Sequence, residues 1–137
     1  GADAPERSAG DALESMDRGE VPSGPGLPEP VLRHMFGTDL DEEAMALVLD
    51  PFGGEAMRPL TDPVSRVGVP PDIPKTWIRL LRDVAVPVAL QDENIGYLEA
   101  SPGGAVAVVD LDTGHNAMLS RPVELAAILD RIATLAT

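Results

Sequence analysis

Two apolar segments in the second half of the chain constrain the fold more than any other feature of the sequence. The first is "TWIRLLR" at 76–82 and the second is "AVAVVDLD" at 105–112. The first segment places apolar side chains on both faces of an extended strand, which is typical of a parallel sheet covered by helices. The two segments therefore predict two neighbouring parallel strands.

Helical patterns follow each of the two strand segments. Pro87 suits the first turn of a helix that runs to about residue 98, and Pro122 lies near the start of a last helix. The last helix has an amphipathic face that suits packing on a sheet, with apolar residues at Leu125, Ile128, Leu129 and Ile132. The predicted order is β–α–β–α with a right-handed crossover, which places the chain in the α/β class.

The first half of the chain is richer in residues that break regular structure. Glycine and proline number 13 and 14, and most of them precede the first predicted strand. We predict an irregular arm at 1–30 with one short helix at 11–18, a helical segment at 31–71, and the β–α–β–α part at 72–137. One further helical turn is predicted within 54–67.

Two short helices are predicted within the helical segment. The first covers 31–37 and stops at Gly37, and the second covers 40–49. Thr38 or Asp39 is the expected N-cap of the second helix, because hydroxyl and carboxylate oxygens accept hydrogen bonds from free main-chain N–H groups there.

Composition excludes several classes of function. The 137 residues suit one domain, and a net charge of −13 argues against nucleic acid and anionic membranes as partners. The chain has no cysteine, which excludes a thiolate nucleophile and zinc–sulfur sites. The acidic residues at 39–43 lack the spacing of a calcium loop. We expect no metal, no cofactor, no membrane span, no secretory signal and a cytoplasmic location.

Asp83 and His115 are the candidate site residues. Each follows one of the predicted strands, and functional groups gather at the carboxyl ends of parallel strands. An aspartate that accepts a hydrogen bond from one imidazole nitrogen leaves the other nitrogen free to act as a general base. In the alternative interpretation, Asp83 caps the helix near Pro87 and His115 simply packs in a turn.

Two motifs carry a resemblance to a known family. "PKTWIRLLRDVAVPVALQ" and "VAVVDLDTGHNAMLSRPVELAAIL" resemble the last third of the α/β-hydrolases, and more narrowly their methylesterase and hydroxynitrile-lyase branch. The resemblance implies that Asp83 is the triad acid and His115 the triad base. The matching positions of the first motif, in which Trp77 replaces the usual tyrosine, are Pro74, Thr76, Ile78, Asp83, Pro87 and Gln91. Those of the second motif are Gly114, His115, Leu119, Ser120, Pro122, Glu124, Leu125 and Ala126.

The resemblance is weaker towards the start of the chain. Residues 36–67 are similar to the helical cap that members of the family place over the active site, and "ADAPERSAGDAL" is similar to the segment before that cap. The implied architecture is a partial α/β-hydrolase fold, with a cap-like segment at 31–71 and a C-terminal core at 72–137. The resemblance also implies a small apolar ester as substrate. In this fold Met118 is expected to face the same cleft as His115, and His34 either is a partly buried helix residue or lines the cap side of the pocket.

The nucleophile of the family has no counterpart in the sequence. Family members carry a serine in a G-x-S-x-G elbow, and none of the serines here has that context. Lyases of the branch usually carry a lysine directly after the histidine, where this chain has Asn116, so ester hydrolysis is favoured over cyanohydrin cleavage. The serines are Ser8, Ser15, Ser23, Ser65, Ser101 and Ser120.

A pair of strands this apolar is expected to need further strands beside it. Two strands with two helices form a marginal core, and an open strand edge promotes pairing with another chain. We therefore expect a companion N-terminal hydrolase half or a homo-oligomer that completes the sheet. Two functions remain open: a methylesterase-like carboxylester hydrolase whose serine lies elsewhere, and a non-catalytic binding protein derived from a truncated hydrolase.

Overall fold

In the part of the chain that the structure describes, helices and a small parallel sheet follow one another in the order α–α–β–α–β–α–α. The computed structural model describes residues 28–50, 65, 68 and 70–135. The elements are α1 (Glu29–Phe36), α2 (Glu42–Leu49), β1 (Lys75–Leu80), α3 (Val88–Glu99), β2 (Val106–Leu111), α4 (Ala117–Ser120) and α5 (Pro122–Leu135).

The two strands pair in parallel along their whole length. Lys75 lies opposite Val106, and Leu80 lies opposite Leu111. The sheet has two strands in the part of the chain that the structure describes. The mixed α/β class and the parallel pairing predicted from the two apolar segments are confirmed.

One face of the sheet packs against the last helix. A buried cluster forms there because β1 and β2 turn alternate apolar side chains towards α5. Its members are the buried Leu111, Ala117 and Ile128, with the half-buried Ile78, Leu80, Val109, Leu125 and Ile132 around them. Three of the four residues predicted for the apolar face of this helix therefore belong to the core, while Leu129 is 51% exposed.

The other face of the sheet packs against α3, and polar contacts join the two. The Arg79 guanidinium donates to Asp110 on β2 and to Asp92 on α3. The Lys75 ammonium donates to the Leu98 carbonyl near the end of α3, where the helix has carbonyls without helical partners. These contacts hold α3 across both strands.

A buried side-chain amide closes the outer edge of β1 at its last residue. Gln91 of α3 is 2% exposed. Its Oε1 accepts from the main-chain N–H of Leu80 and from the Trp77 indole, at 2.9 and 3.2 Å. Its Nε2 donates to the main-chain carbonyls of Leu80 and Val86, each at 2.8 Å. The amide therefore replaces a neighbouring strand at this point.

The turn before β2 depends on glycine. Gly103 and Gly104 have φ values of +94° and +57°, which side chains disfavour. A Cβ atom at Gly103 would also lie 2.7 Å from the Pro71 carbonyl oxygen. The tight turn brings the chain from the end of α3 back to the start of the sheet.

The helices α1 and α2 pack against each other as a small pair. Val31 and Leu32 of α1 and Met45 of α2 are buried, and Arg33 bridges Glu29 and Glu42 across the pair. The expected stop at Gly37 is confirmed, since α1 ends at Phe36. The expected cap of α2 was wrong: the Asp41 carboxylate, rather than Thr38 or Asp39, accepts from the Ala44 N–H at 2.8 Å.

Several predictions fall partly or wholly outside the described residues. These are the irregular arm at 1–30, the short helix at 11–18, the helical segment at 31–71 and the helical turn within 54–67. Of the arm, residues 28–30 are described, and the last two of them already belong to α1. Of the helical segment, residues 31–50, 65, 68, 70 and 71 are described. Among the helices that are described, none has the length and apolar character needed to cross a membrane.

Candidate active site

Asp83 and His115 meet at the carboxyl end of the sheet. β1 ends at Leu80 and β2 at Leu111, and the parallel pairing brings the loops after them together. Main-chain hydrogen bonds from Leu81 to Leu111 and from Arg82 to Thr113 continue the pairing into these loops. As expected from the sequence, Asp83 Oδ2 and His115 Nδ1 are in hydrogen-bond contact, at 2.9 Å.

The two oxygens of Asp83 have separate partners. Oδ1 accepts from the Val86 main-chain N–H at 2.9 Å, which fixes the turn before α3, and Oδ2 faces the imidazole. The N-cap of α3 is Pro87, without a side-chain capping bond, so Asp83 does not cap that helix. The Asp83 side chain is 3% exposed, so the imidazole contact is shielded from competing water.

His115 is accessible on one side and packed on another. Its side chain is 34% exposed. The Phe36 ring lies against the imidazole with a centroid separation of 5.0 Å and an interplanar angle of 54°. The ring is thus held by Asp83 and Phe36, while part of it stays open to solvent.

Asp39 connects the helical pair to the loop that carries His115. Its Oδ2 accepts from the Thr113 hydroxyl at 2.7 Å and from the Gly114 N–H at 2.8 Å. A second link joins the same two segments, because the Asn116 side-chain amide donates to the Phe36 carbonyl at 3.2 Å. The residues on both sides of His115 are therefore bound to the α1–α2 connection or to the end of α1.

The Asp39 carboxylate is buried and charged. Burial raises its pKa, but the hydrogen bonds from Gly114 and Thr113 and the nearby Arg82 charge outweigh burial and hold the pKa below its usual value. Arg82 lies 3.6 Å from Asp39 and also pairs with Asp112. The other oxygen of the carboxylate, Oδ1, is buried and accepts no hydrogen bond within the described structure.

The other two residues predicted for the site are both exposed. His34 lies in the last turn of α1 and is exposed, and Met118 in α4 is 59% exposed. Nothing tests their role in lining a pocket, which stays a prediction. No three His, Asp or Glu side chains form a metal-binding group among the residues described.

Two serines near the ends of the sheet have structural roles. The Ser101 hydroxyl donates to the Leu98 carbonyl at 2.5 Å. Ser120 contacts the Thr113 hydroxyl and donates to the Asn116 carbonyl. Each hydroxyl therefore supports a local turn or helix end.

The contact of Asp39 with the His115 loop was not predicted from the sequence. An aspartate before a helix is most simply read as an N-cap, and Asp41 fills that role instead. The two acidic residues two positions apart are the signal that one of them is available for another contact. Comparisons with protein-family models, with curated proteins and with solved structures found no match.

Proposed function

We propose that this chain carries the acid and the base of a carboxylester hydrolase of the methylesterase type, with the serine supplied from outside these 137 residues. The observation that carries the proposal is the 2.9 Å contact between buried Asp83 and half-exposed His115 at the ends of adjacent parallel strands. The resemblance of the two motifs to the hydrolase family supports it.

The proposed chemistry follows from the geometry of this contact. Asp83 accepts the Nδ1–H of the imidazole, which leaves the lone pair on Nε2 free. Nε2 takes the proton of the serine hydroxyl as its oxygen bonds to the ester carbonyl carbon, and then gives that proton to the departing alcohol. A water molecule, deprotonated in the same way, releases the acid and restores the serine.

The surroundings of the histidine agree with ester hydrolysis. Asn116, and not lysine, follows His115, and its amide is bound to the Phe36 carbonyl. Phe36 presents an aromatic ring beside the imidazole, which suits a small apolar ester. The acidic surface expected from a net charge of −13 disfavours anionic substrates. A cytoplasmic location stays part of the proposal.

The sheet is proposed to be completed by another chain, either an N-terminal hydrolase half or a second copy. β1 has β2 as its neighbour in the described part, and Gln91 occupies the main-chain groups of its last residue alone. Main-chain groups alternate along a strand, so those of Ile78 and Thr76 point to the same side as those of Leu80. This side of β1 is where a further strand is proposed to pair.

A second candidate function is binding without catalysis. It is favoured by the lack of a G-x-S-x-G sequence and by the Ser101 and Ser120 hydroxyls, which donate to main-chain carbonyls. In that case Asp83 and His115 stabilise the loops at the end of the sheet, and the partner chain binds without ester turnover.

The test measures hydrolysis of a chromogenic short-chain ester and labelling by a serine-directed fluorophosphonate. It uses the chain alone and, where an N-terminal hydrolase half is encoded beside it, the chain co-expressed with that half. We expect no activity from the chain alone, and activity with a labelled serine in the companion. His115→Ala is expected to lower kcat by about 10³-fold or more.

Asp83→Asn provides the second variant, with Asp92→Asn as its control. Both changes remove one carboxylate charge, but Asp92 lies half-exposed on α3 and pairs with Arg79. Loss of activity in the Asp83 variant alone supports the acid role. A complex that forms and stays inactive contradicts the hydrolase and supports the binding function.

A further inference from the structure

The link between the α1–α2 connection and the His115 loop has a consequence for the imidazole. Asp39 lies 76 positions before His115 in the chain, yet its carboxylate binds the two residues that directly precede the histidine. We propose that Asp39 is a positioning residue that holds the His115 imidazole in register with Asp83. The inference deepens the proposed function and rests on it only for its meaning in catalysis.

The contacts define where the loop is held. Thr113 is fully buried, and its hydroxyl is shared between Asp39 and Ser120. The Gly114 N–H points at the same Asp39 oxygen, so one acceptor fixes both a side chain and a main-chain group. A hydrogen bond to an ionised oxygen is stronger than one between two neutral groups. The two hydrogen bonds to Asp39 therefore restrain the main-chain torsion angles immediately before His115.

The close approach of the His115 loop to Asp39 also depends on the small size of residue 114. A Cβ atom on Gly114 would lie 2.6 Å from Asp39 Oδ1 and 2.6 Å from the Thr38 hydroxyl oxygen. The loop can therefore approach the carboxylate this closely because residue 114 is glycine. Beyond the histidine, the bond between Asn116 and Phe36 and the ring contact of Phe36 hold the imidazole from the same helical pair.

The alternative is that Asp39 merely stabilises the fold, as any buried hydrogen-bonded group does. The two interpretations differ in whether the loss of Asp39 changes the surroundings of the His115 imidazole in the folded chain. A positioning residue alters the His115–Asp83 contact in a chain that is still folded, whereas a purely structural residue changes the unfolding transition and leaves the imidazole of the folded state as it was.

The experiment follows the imidazole signals of the full 137-residue chain by NMR. The chain has two histidines, so the variant His34→Gln assigns the remaining signals to His115. The measured quantities are the Hε1 chemical shift of His115 and the exchange rate of its Nδ1 proton with water. Neither needs a substrate or a nucleophile, so the result is independent of whether the hydrolase proposal holds.

Asp39→Ala is the main variant and Asp41→Ala is its control. Asp41 lies two residues away and caps α2, so its loss weakens the same helical pair without touching the His115 loop. We expect Asp39→Ala to shift the Hε1 signal and to speed Nδ1 proton exchange about tenfold or more, because the loop opens more often. Asp41→Ala is expected to leave both quantities as in the unaltered chain.

Asp39→Asn tests rescue by the conservative variant. Its amide oxygen can still accept from Thr113 and Gly114, so we expect the His115 signals to return most of the way to those of the unaltered chain. Thr113→Val removes one of the two hydrogen bonds to Asp39. It is expected to move the Hε1 signal of His115 in the same direction as Asp39→Ala, but by a smaller amount.

The proposal is overturned by a folded Asp39→Ala chain whose His115 signals match those of the unaltered protein. If Asp39→Ala does not fold, Thr113→Val decides: unchanged His115 signals in that variant overturn the proposal, and shifted signals support it. Equal shifts in the Asp39 and Asp41 variants also contradict it, since they trace the effect to the helical pair as a whole.

Discussion

At the residue scale, Gly114 makes the approach of two distant segments possible. Its missing side chain lets Asp39 and Thr38 reach the main chain just before His115. A residue with a Cβ atom would have to move either the carboxylate or the loop. The position of the histidine thus depends on a neighbour that takes no part in the proposed chemistry.

We predict that Gly114→Ala destabilises the fold by about 1–3 kcal/mol, because the added methyl group overpacks a buried contact. Gly96→Ala is the control, since a Cβ atom there meets no atom within 4 Å and Gly96 lies inside α3. Replacing glycine by alanine inside a helix is expected to stabilise it by about 0.5–1 kcal/mol. Urea unfolding of both variants measures the difference, and equal effects would contradict the steric account.

We predict that Asp39 contributes to stability above its ordinary pKa of 3.8 and that this contribution is lost in acid. Its pKa in the folded chain is lowered, so the folded state favours the ionised form. The stabilisation is complete above the unfolded pKa and disappears as the pH falls through the folded pKa.

The measurement compares the free energy of unfolding of the unaltered chain and Asp39→Asn between about pH 6 and pH 2. The difference in the free energy of unfolding between the unaltered chain and Asp39→Asn is expected to decrease as the pH falls. Asp110→Asn is the control: hydrogen bonds from Arg79 also lower the pKa of Asp110, but that pair is half-exposed and contributes less. A gap for Asp39→Asn that stays constant across the range would be inconsistent with the prediction.

At the element scale, the sequence predicted both strands, their parallel pairing and the helices α1, α2, α3 and α5. The helix predicted at 87–98 is observed at Val88–Glu99, and the strand at 105–112 is observed at Val106–Leu111. The spacing of apolar residues and the positions of prolines depend on local sequence alone, so the helices and strands that they mark could be predicted. The contact of Asp83 with His115 was also predictable, because parallel strands end at the same edge.

Contacts between distant segments could not be predicted from local sequence in the same way. The role of Asp39 depends on a loop more than 70 residues later in the chain, and no local pattern distinguishes it from a helix cap. α4 is a single turn of four residues, too short for a period to be recognised. The amide of Gln91 substitutes for a strand, which depends on how α3 crosses the sheet.

We predict that Gln91→Leu destabilises the fold by about 2–4 kcal/mol, because part-buried polar groups at the end of β1 lose their hydrogen bonds to the Gln91 amide. Those groups are the N–H and carbonyl of Leu80, the carbonyl of Val86 and the Trp77 indole N–H. Asp92→Ala on the same helix removes a half-exposed ion pair and is expected to cost at most about 1 kcal/mol. Thermal unfolding followed by circular dichroism compares the two, and a Gln91 variant as stable as the control would rule out this role.

At the scale of the whole molecule, the described sheet is small for strands of this composition. Two parallel strands with helices on their faces bury little apolar surface. Large apolar side chains also remain exposed on α3 and α5, the helices that cover the two faces. They are Leu90 and Tyr97 on α3 and Val123 and Leu129 on α5. These features are consistent with a further strand beside β1.

We predict that the chain alone sediments as a dimer or larger species, through pairing at the outer side of β1. Thr76→Pro removes a main-chain donor on that side near the start of the strand and is expected to shift the chain towards monomer. Thr76→Val keeps the donor and serves as the control. A compact, stable monomer of the unaltered chain in analytical ultracentrifugation would contradict the prediction.

The tautomer of His115 decides whether the imidazole can act as the proposed base, because that role requires the proton on Nδ1 and a free lone pair on Nε2. Long-range ¹H–¹⁵N correlation spectra at a pH at which the imidazole is neutral report which nitrogen carries the proton. We predict that the Nδ1–H form dominates in the unaltered chain, since Asp83 Oδ2 lies 2.9 Å from Nδ1, and that it no longer dominates in Asp83→Ala. A dominant Nε2–H form in the unaltered chain would contradict it.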